Sequence, residues 1–258
     1  MYYFVTSSKD ASIYLQQPTQ NTGLDEILEV SKVYYGSLKD TARSLVKFDI
    51  GGLSSSIDNG SVTMSSAELI LKECESNEIP LDYTIEIYPV SESWDMGLGT
   101  RFDDITTDGV TWNYRASGSK WLVGSASLES TGSYNGNGGM WFTASAASQS
   151  FSYESSDLNV DVLSAIDSWV SGCLPNNEFI VKHTKTFEDD TNDYGQLKFF
   201  SKETHTIHQP KIRVGWDDSE FNTGSLSAVT LTDDIKINTK RLKKSYKVGS
   251  TPKIEVHG

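Results

Sequence analysis

The stretch "ARSLVKFDI", residues 42–50, alternates along its length. Ala42, Ser44, Val46, Phe48 and Ile50 fall on one side; Arg43, Lys47 and Asp49 fall on the other. A period of two predicts an extended strand with one face on a core and the other toward solvent. The pattern returns in "AELILKE" (67–73), with Ala67, Leu69 and Leu71 inward, and in "YTIEIYPV" (83–90), with Tyr83, Ile85 and Ile87 inward. "NEFIVKH" (177–183), "GQLKFFSKE" (195–203) and "PKIRVGW" (210–216) follow, the last two with Leu197/Phe199 and Ile212/Val214/Trp216 as inward sets. Turn clusters such as "GGLSSSIDNG" (51–60) and "SYNGNGG" (133–139) separate the runs. Many short strands with polar turns predict an all-β fold, a jelly-roll-like β-sandwich.

One segment has a different period. In "VDVLSAIDSWVSGCLPNN" (160–177), Val162, Leu163, Ile166, Trp169 and Val170 share one helical face. Asp161 suits an N-cap, Gly172 a left-handed C-terminal position, and Pro175 stops continuation. The spacing predicts one short helix of about three turns packed on one end of a sheet.

The chain has 258 residues, with 22 Lys+Arg against 35 Asp+Glu and a net charge of −13. That length can bury a sizeable core. The acidity argues against a nucleic-acid partner, since phosphate binding needs a basic stripe. The one cationic cluster, Lys240, Arg241, Lys243, Lys244 and Lys247, reads as a solvated edge strand. Cys74 and Cys173 read as free, partly buried thiols rather than a disulfide framework. The opening "MYYFVTSSKD" lacks a basic region followed by an apolar stretch, so no signal peptide is expected, and no run predicts a membrane span. After Gly224 the pattern restarts. Residues 1–224 are expected to form the sandwich and residues 225–258 a small C-terminal β element. That element would dock on the first domain, swap with a partner, or open a longer second domain.

The stretch "SWDMGLGTRFDDITTDGVTWNYR" (93–115) has neither period. A long loop without regular structure is usually functional or packed on itself. Packing would bury Trp94 and Trp112, pair Arg115 with Asp104 or Asp108, and give each indole N–H a partner from nearby Asp, Thr or Asn. The alternative is a ligand site. Trp112 and Tyr114, with Trp121 of "KWLVG" and Trp141 of "GGMWF", would then stack on sugar faces in one groove.

Catalytic patterns are few. There is no nucleophile elbow, no HExxH and no phosphate loop, and no catalytic residue or cofactor is expected. The spacing of "HTIH" (His205, His208) would suit a metal pair on a helix, but the setting is extended. The acid pairs Asp103–Asp104, Asp189–Asp190, Asp217–Asp218 and Asp233–Asp234 point apart on a strand, and nothing selects two for glycoside hydrolysis. "EDDTNDYG" (188–195) nearly imitates a calcium loop, with Asp190, Asn192 and Gly195 at positions one, three and six and Asp189 beside them. Tyr194 and Ser201 occupy positions that need ligands. A solvated hairpin is the main expectation, and a structural calcium held by Asp189, Asp190 and Asn192 is the alternative.

Five pieces occur in a familiar order: "RSLVKFDI", "AELILKE", "YPVSESW…DGVTWNYR", "VDVLSAIDSWVSG…NNEFIVKH" and "GQLKFFSKE…PKIRVGW". Together they resemble the DNRLRE-type β-sandwich domains over residues 5–218. "KDASIYLQQPTQNTGLDEILEVSK" (9–32) and "YGQLKFFSKETHTIHQPKIRVGWDDSEFNTGSLSAVT" (194–230) resemble virion structural proteins of tailed phages of marine cyanobacteria. The resemblance implies a non-enzymatic neck, tail or fibre component made in the host cytoplasm. It would be a homo-oligomer in contact with other virion proteins and would not contact a membrane. It also implies two other readings: a carbohydrate-binding module for host surface glycan, and, third, a polysaccharide-degrading enzyme.

Overall fold

The computed structural model describes residues 1–58, 63–77, 81–122, 137–152, 156–216, 238–240 and 255–257. In chain order the elements begin with β1 (Tyr2–Tyr14), β2 (Ile27–Tyr35), β3 (Leu38–Phe48), α1 (Gly51–Asp58), β4 (Met64–Leu71), β5 (Glu73–Asn77) and β6 (Tyr83–Pro89). Next come β7 (Tyr114–Ala116), β8 (Ser119–Lys120), β9 (Ala147–Phe151), β10 (Leu158–Asp161), α2 (Leu163–Val170), β11 (Phe179–His183) and α3 (Lys185–Asp189). The last are β12 (Gly195–Phe200), β13 (Lys211–Trp216), β14 (Asn238–Lys240) and β15 (Glu255–His257).

The fold is an all-β, sandwich-like one. Eleven strands form one antiparallel system whose main path runs β10-β4-β13-β1-β3-β11-β6-β9, with β2, β12 and β5 branching from β3. Strand β1 belongs to both layers. Its first half pairs with β13 and its second half with β3, and the register slips between Ser7 and Lys9. Such a bulge bends a strand and sharpens its twist, which lets β1 pass from one layer to the other. The main core lies between the layers. Val46 and Phe48 of β3, Ile85 and Ile87 of β6 and Phe179 and Val181 of β11 meet Leu69 of β4 and Ile212 and Val214 of β13 there.

The expectation of a half-buried strand at residues 42–50 is corrected. Both faces of β3 are covered, with Thr41 through Val46 all buried. Leu45 faces a second apolar cluster with Ala11, Ile13 and Ile180, and residues 90–141 supply its other members: Val90, Trp94, Val110, Trp112, Trp121, Met140 and Trp141. The segment that lacked a period is therefore a plug laid over the outer face of the larger sheet.

The predicted helix is α2, shorter than expected. Asp161 does contribute a carboxylate oxygen to the Leu163 amide at 2.9 Å, but the N-cap position is Val162. Ala165, Ile166 and Trp169 bury its inner face, and Gly172 takes φ 73°. Among the described residues, α1 and α3 are helices where turns are expected. Leu53 and Ile57 of α1, with Ile50 just before it, reach the core on a helical spacing, while Asp49 accepts from the Gly51 amide at 3.0 Å. In α3, Thr184 caps the first turn by accepting from the Phe187 amide at 3.3 Å.

The chain divides into two compact units, Met1–Asp218 and Ser219–Gly258. In the second, β14 and β15 pair antiparallel. Four of the five cations of the basic cluster, Arg241 to Lys247, and the acid pairs Asp217–Asp218 and Asp233–Asp234 lie outside the described residues.

Candidate functional site

Asn21 ties the plug to the sheet. Its side-chain amide donates to the Met96 and Val110 carbonyls at 2.7 and 2.8 Å. Its side-chain oxygen accepts from the Gly99 and Gly23 amides at 2.8 and 3.2 Å. The fit depends on glycines. Gly97 has φ +77°, and a Cβ there would lie 2.4 Å from the Asn21 side-chain oxygen; a Cβ on Gly109 would lie 2.4 Å from the Gly97 Cα. Sequence alone does not single out Asn21, because three of its four partners, at Met96, Gly99 and Val110, lie 75, 78 and 89 positions away. The clustered glycines at 97, 99 and 109 were the available signal.

The plug's rings point inward. Trp112, Trp121 and Trp141 are 2%, 3% and 2% exposed. The alternative of a sugar-stacking groove built from them is corrected, because a stacking platform needs an open ring face and all three rings are buried. Tyr114 is only half-buried and belongs to the small β7–β8 pair. The indole N–H groups of Trp94 and Trp121 find backbone oxygens, those of Asn177 and Thr111, each at 3.1 Å. Arg115 does not pair with Asp104 or Asp108. It donates to the Ser93 carbonyl at 3.0 Å, while Asp108 accepts from the Leu98 amide.

Beneath the plug lies a charge network. The Arg43 guanidinium sits 4.6 Å from the Trp112 ring centre and 5.3 Å from that of Trp141, inside the range of cation–π attraction. It donates to both oxygens of Glu188 at 2.9 and 2.7 Å and to the Gly138 carbonyl. Lys182 adds a second cation 3.5 Å from Glu188. Burial alone would raise the Glu188 pKa, but Arg43 and Lys182 outweigh it and hold the carboxylate below its usual range. Lys182 itself is pushed down by burial. On the opposite face of β11, His183 packs between the rings of Tyr83 and Tyr194, and burial lowers its pKa to about 4.

The calcium candidates are turned to other partners. Asp189 faces Lys185 at 3.1 Å and Lys39 at 3.8 Å. Asp190 accepts from the Tyr194 hydroxyl at 2.6 Å and from the Asn192 backbone and side-chain amides at 2.9 and 3.0 Å. The near-match to a calcium loop is a capped turn after α3, and Tyr194, at a ligand position of that loop, is a hydrogen-bond donor to the carboxylate instead. Among the described residues no group of three or more His, Cys, Asp or Glu could hold a metal ion. His205 meets Glu26 at 3.5 Å and His208 stacks on Phe200, so the two histidines face different partners. Both thiols are free, Cys74 half-buried and Cys173 exposed rather than partly buried.

The open feature lies at the plug's outer rim. A cavity of about 200 Å³ has Tyr14, Asp25, Glu26, Arg101, Phe102 and Lys198 among its lining residues. The Arg101 guanidinium lies 4.2 Å from the Tyr14 ring centre and pairs with Glu29, and its backbone amide donates to Asp25 at 3.0 Å. Burial raises the Asp25 pKa. The Phe102 ring, 88% exposed, stands at the lip with Arg101 on one side, 5.3 Å from its centre.

No protein-family model matches the chain, and no curated protein is significantly similar to it.

Proposed function

We propose that the chain is a non-enzymatic structural subunit of a tailed-phage particle, a neck, tail or fibre component whose work is contact with neighbouring subunits. The observation that supports this best is the double cover of the larger sheet. Its inner face packs on the other layer, and its outer face is sealed by the plug through Asn21, the tryptophans and the Arg43–Glu188 pair. The aromatic and charged side chains that the sequence offers for chemistry are spent on rigidity there. A rigid body suits an assembly subunit, because interfaces between pre-organised surfaces lose less conformational entropy on forming. The order of motifs along the chain, from "RSLVKFDI" to "PKIRVGW", supports the phage assignment by resemblance. The acidic composition would keep the free subunit soluble before assembly.

Mass spectrometry of purified particles from infected cells tests this reading. The chain is expected in the particles at a copy number that fits a symmetric ring or fibre. Its absence from particles, together with a purified chain that stays monomeric at high concentration, would overturn it.

A further inference from the structure

We infer that the open edge of β1 at Tyr2–Phe4 is the surface through which two copies of this chain pair, strand to strand and antiparallel, about a two-fold axis at Tyr3. The backbone bonds fix which groups face outward. Met1 and Trp216 exchange both N–H···O bonds, at 2.6 and 3.1 Å, and the Ser7 amide donates to the Pro210 carbonyl at 2.9 Å. The register between them is unbroken, from Tyr2 opposite Gly215 to Thr6 opposite Lys211. Bonded and non-bonded pairs alternate along an antiparallel ladder. Tyr3 and Val5 therefore direct their N–H and C=O groups to β13, while Tyr2 and Phe4 turn theirs away from it. Strand β3 reaches β1 only from Ser7 onward. Among the described residues no strand pairs with Tyr2 and Phe4 on that side.

Edges are ordinarily blunted by charge, proline or brevity. The edge strand β5 carries Glu73 and Glu75. The start of β1 carries Tyr2, Tyr3 and Phe4 instead, 66%, 52% and 51% exposed. Two of these rings are already placed. Tyr2 lies over Gly215 with its centre 5.6 Å from the Arg213 guanidinium, and the Phe4 ring centre is 5.4 Å from the Lys211 ammonium. The edge is its own complement. With Tyr3 facing Tyr3 of a second copy, each Tyr2 stands opposite Phe4 of that copy, and each such pair exchanges two N–H···O bonds. Residues 2–6 carry no charged side chain, so the pairing sets no like charges opposite each other, which matters for a chain of net charge −13. The contact is the same patch on both copies and closes on itself. So short an edge falls below the ~1,200 Å² at the low end of standard interfaces. The isolated pair is therefore weak and gains strength where an assembly engages it repeatedly. The inference rests on the reading of the chain as an assembly subunit and names one surface for that work.

The test is disulfide trapping in the full chain, with Cys74→Ser and Cys173→Ser so that no native thiol competes. Opposed residues of a non-bonded antiparallel pair stand about 4.5 Å apart at Cα, within disulfide reach. In a glutathione redox buffer Tyr3→Cys is expected to form a covalent dimer at least about tenfold faster than Tyr35→Cys, a more exposed position on β2 that reports random collision. Adding Phe4→Pro is expected to slow the Tyr3→Cys dimer about tenfold or more. Proline removes an outward N–H and leaves the bonds to β13 in place, so the thermal midpoint should stay with that of the parent. Should the midpoint fall, the comparison of Tyr3→Cys with Tyr35→Cys decides alone. Two results would overturn the edge: Tyr3→Cys that cross-links no faster than Tyr35→Cys, or a Tyr3→Cys dimer undiminished by Phe4→Pro in a folded chain. Neither bears on whether the chain is found in particles, and its absence from particles would leave the trapping result standing.

Discussion

Arg43 and Glu188, 145 residues apart in sequence, meet in the interior as a two-pronged ion pair, with Nε and Nη2 donating to the two carboxylate oxygens at 2.9 and 2.7 Å. The contact joins β3 to α3 under the plug, and Lys182 shares the same carboxylate. Glu188→Ala would remove the carboxylate that two buried cations, Arg43 and Lys182, share. Removing one partner of a buried pair typically costs about 3–5 kcal/mol. Urea unfolding of Glu188→Ala should show a loss of that order. A loss below about 1 kcal/mol would mean that the network contributes little.

Asn21→Ala removes the bonds that hold Met96, Gly99 and Val110. Each buried backbone group left without a partner costs roughly 1–3 kcal/mol. Hydrogen exchange at Gly99 and Val110 is expected to accelerate more than exchange at Ile180 and Val181 of β11. Uniform acceleration across all four would show that the plug does not open as its own unit.

Asp10 makes stability depend on pH. Burial lifts its carboxyl from the ordinary 3.8 to about 7, although the Lys202 amide donates to it at 2.6 Å. A raised folded pKa gives stability that is fully present below about pH 3.8 and lost as pH rises through about 7. Asp10→Asn has no such titration. Its stability relative to wild type should therefore rise between about pH 4 and about pH 8. His183, held down to about 4, acts in the opposite direction: its contribution is present above about 6.5 and lost as pH falls through about 4. Taking the difference between the two proteins cancels it. A difference that stays flat with pH would exclude the assignment.

Trp112 and Phe102 should behave as opposites. Trp112→Ala empties a site packed against Gly138 and Arg43, and buried Trp→Ala changes cost about 3–5 kcal/mol. Phe102→Ala removes an exposed ring and should leave the thermal midpoint within a degree or two of wild type. A reversed order of the two midpoints would place the plug's core on the wrong side.

Much of the frame was legible in the sequence. The strands around Val46, Leu69, Ile85, Val181, Leu197 and Ile212 follow from their period of two, and α2 from Ile166 and Trp169 on one helical face. What escaped was whatever depends on partners far along the chain. Alternation assigned Arg43 to solvent, because nothing local announces Glu188 or the two indoles that cover it. A glycine- and serine-rich run read as a turn became α1, since Ile50, Leu53 and Ile57 outweighed weak propensity. The burial of the tryptophans is legible in their setting, while the rim cavity is not. Tyr14, Asp25, Arg101 and Lys198 come together only after four separate segments assemble.

The central claim is that Trp94, Trp112 and Trp121 belong to the folded interior and not to an open stacking groove. Hydrogen exchange of the Trp94 and Trp121 indole N–H groups, read by NMR, tests it most directly, since both donate to backbone oxygens at 3.1 Å. The expected result is protection lasting until global unfolding, with the same free energy as the Leu45 and Val46 amides of β3. Exchange of either indole within the dead time of the experiment would contradict it.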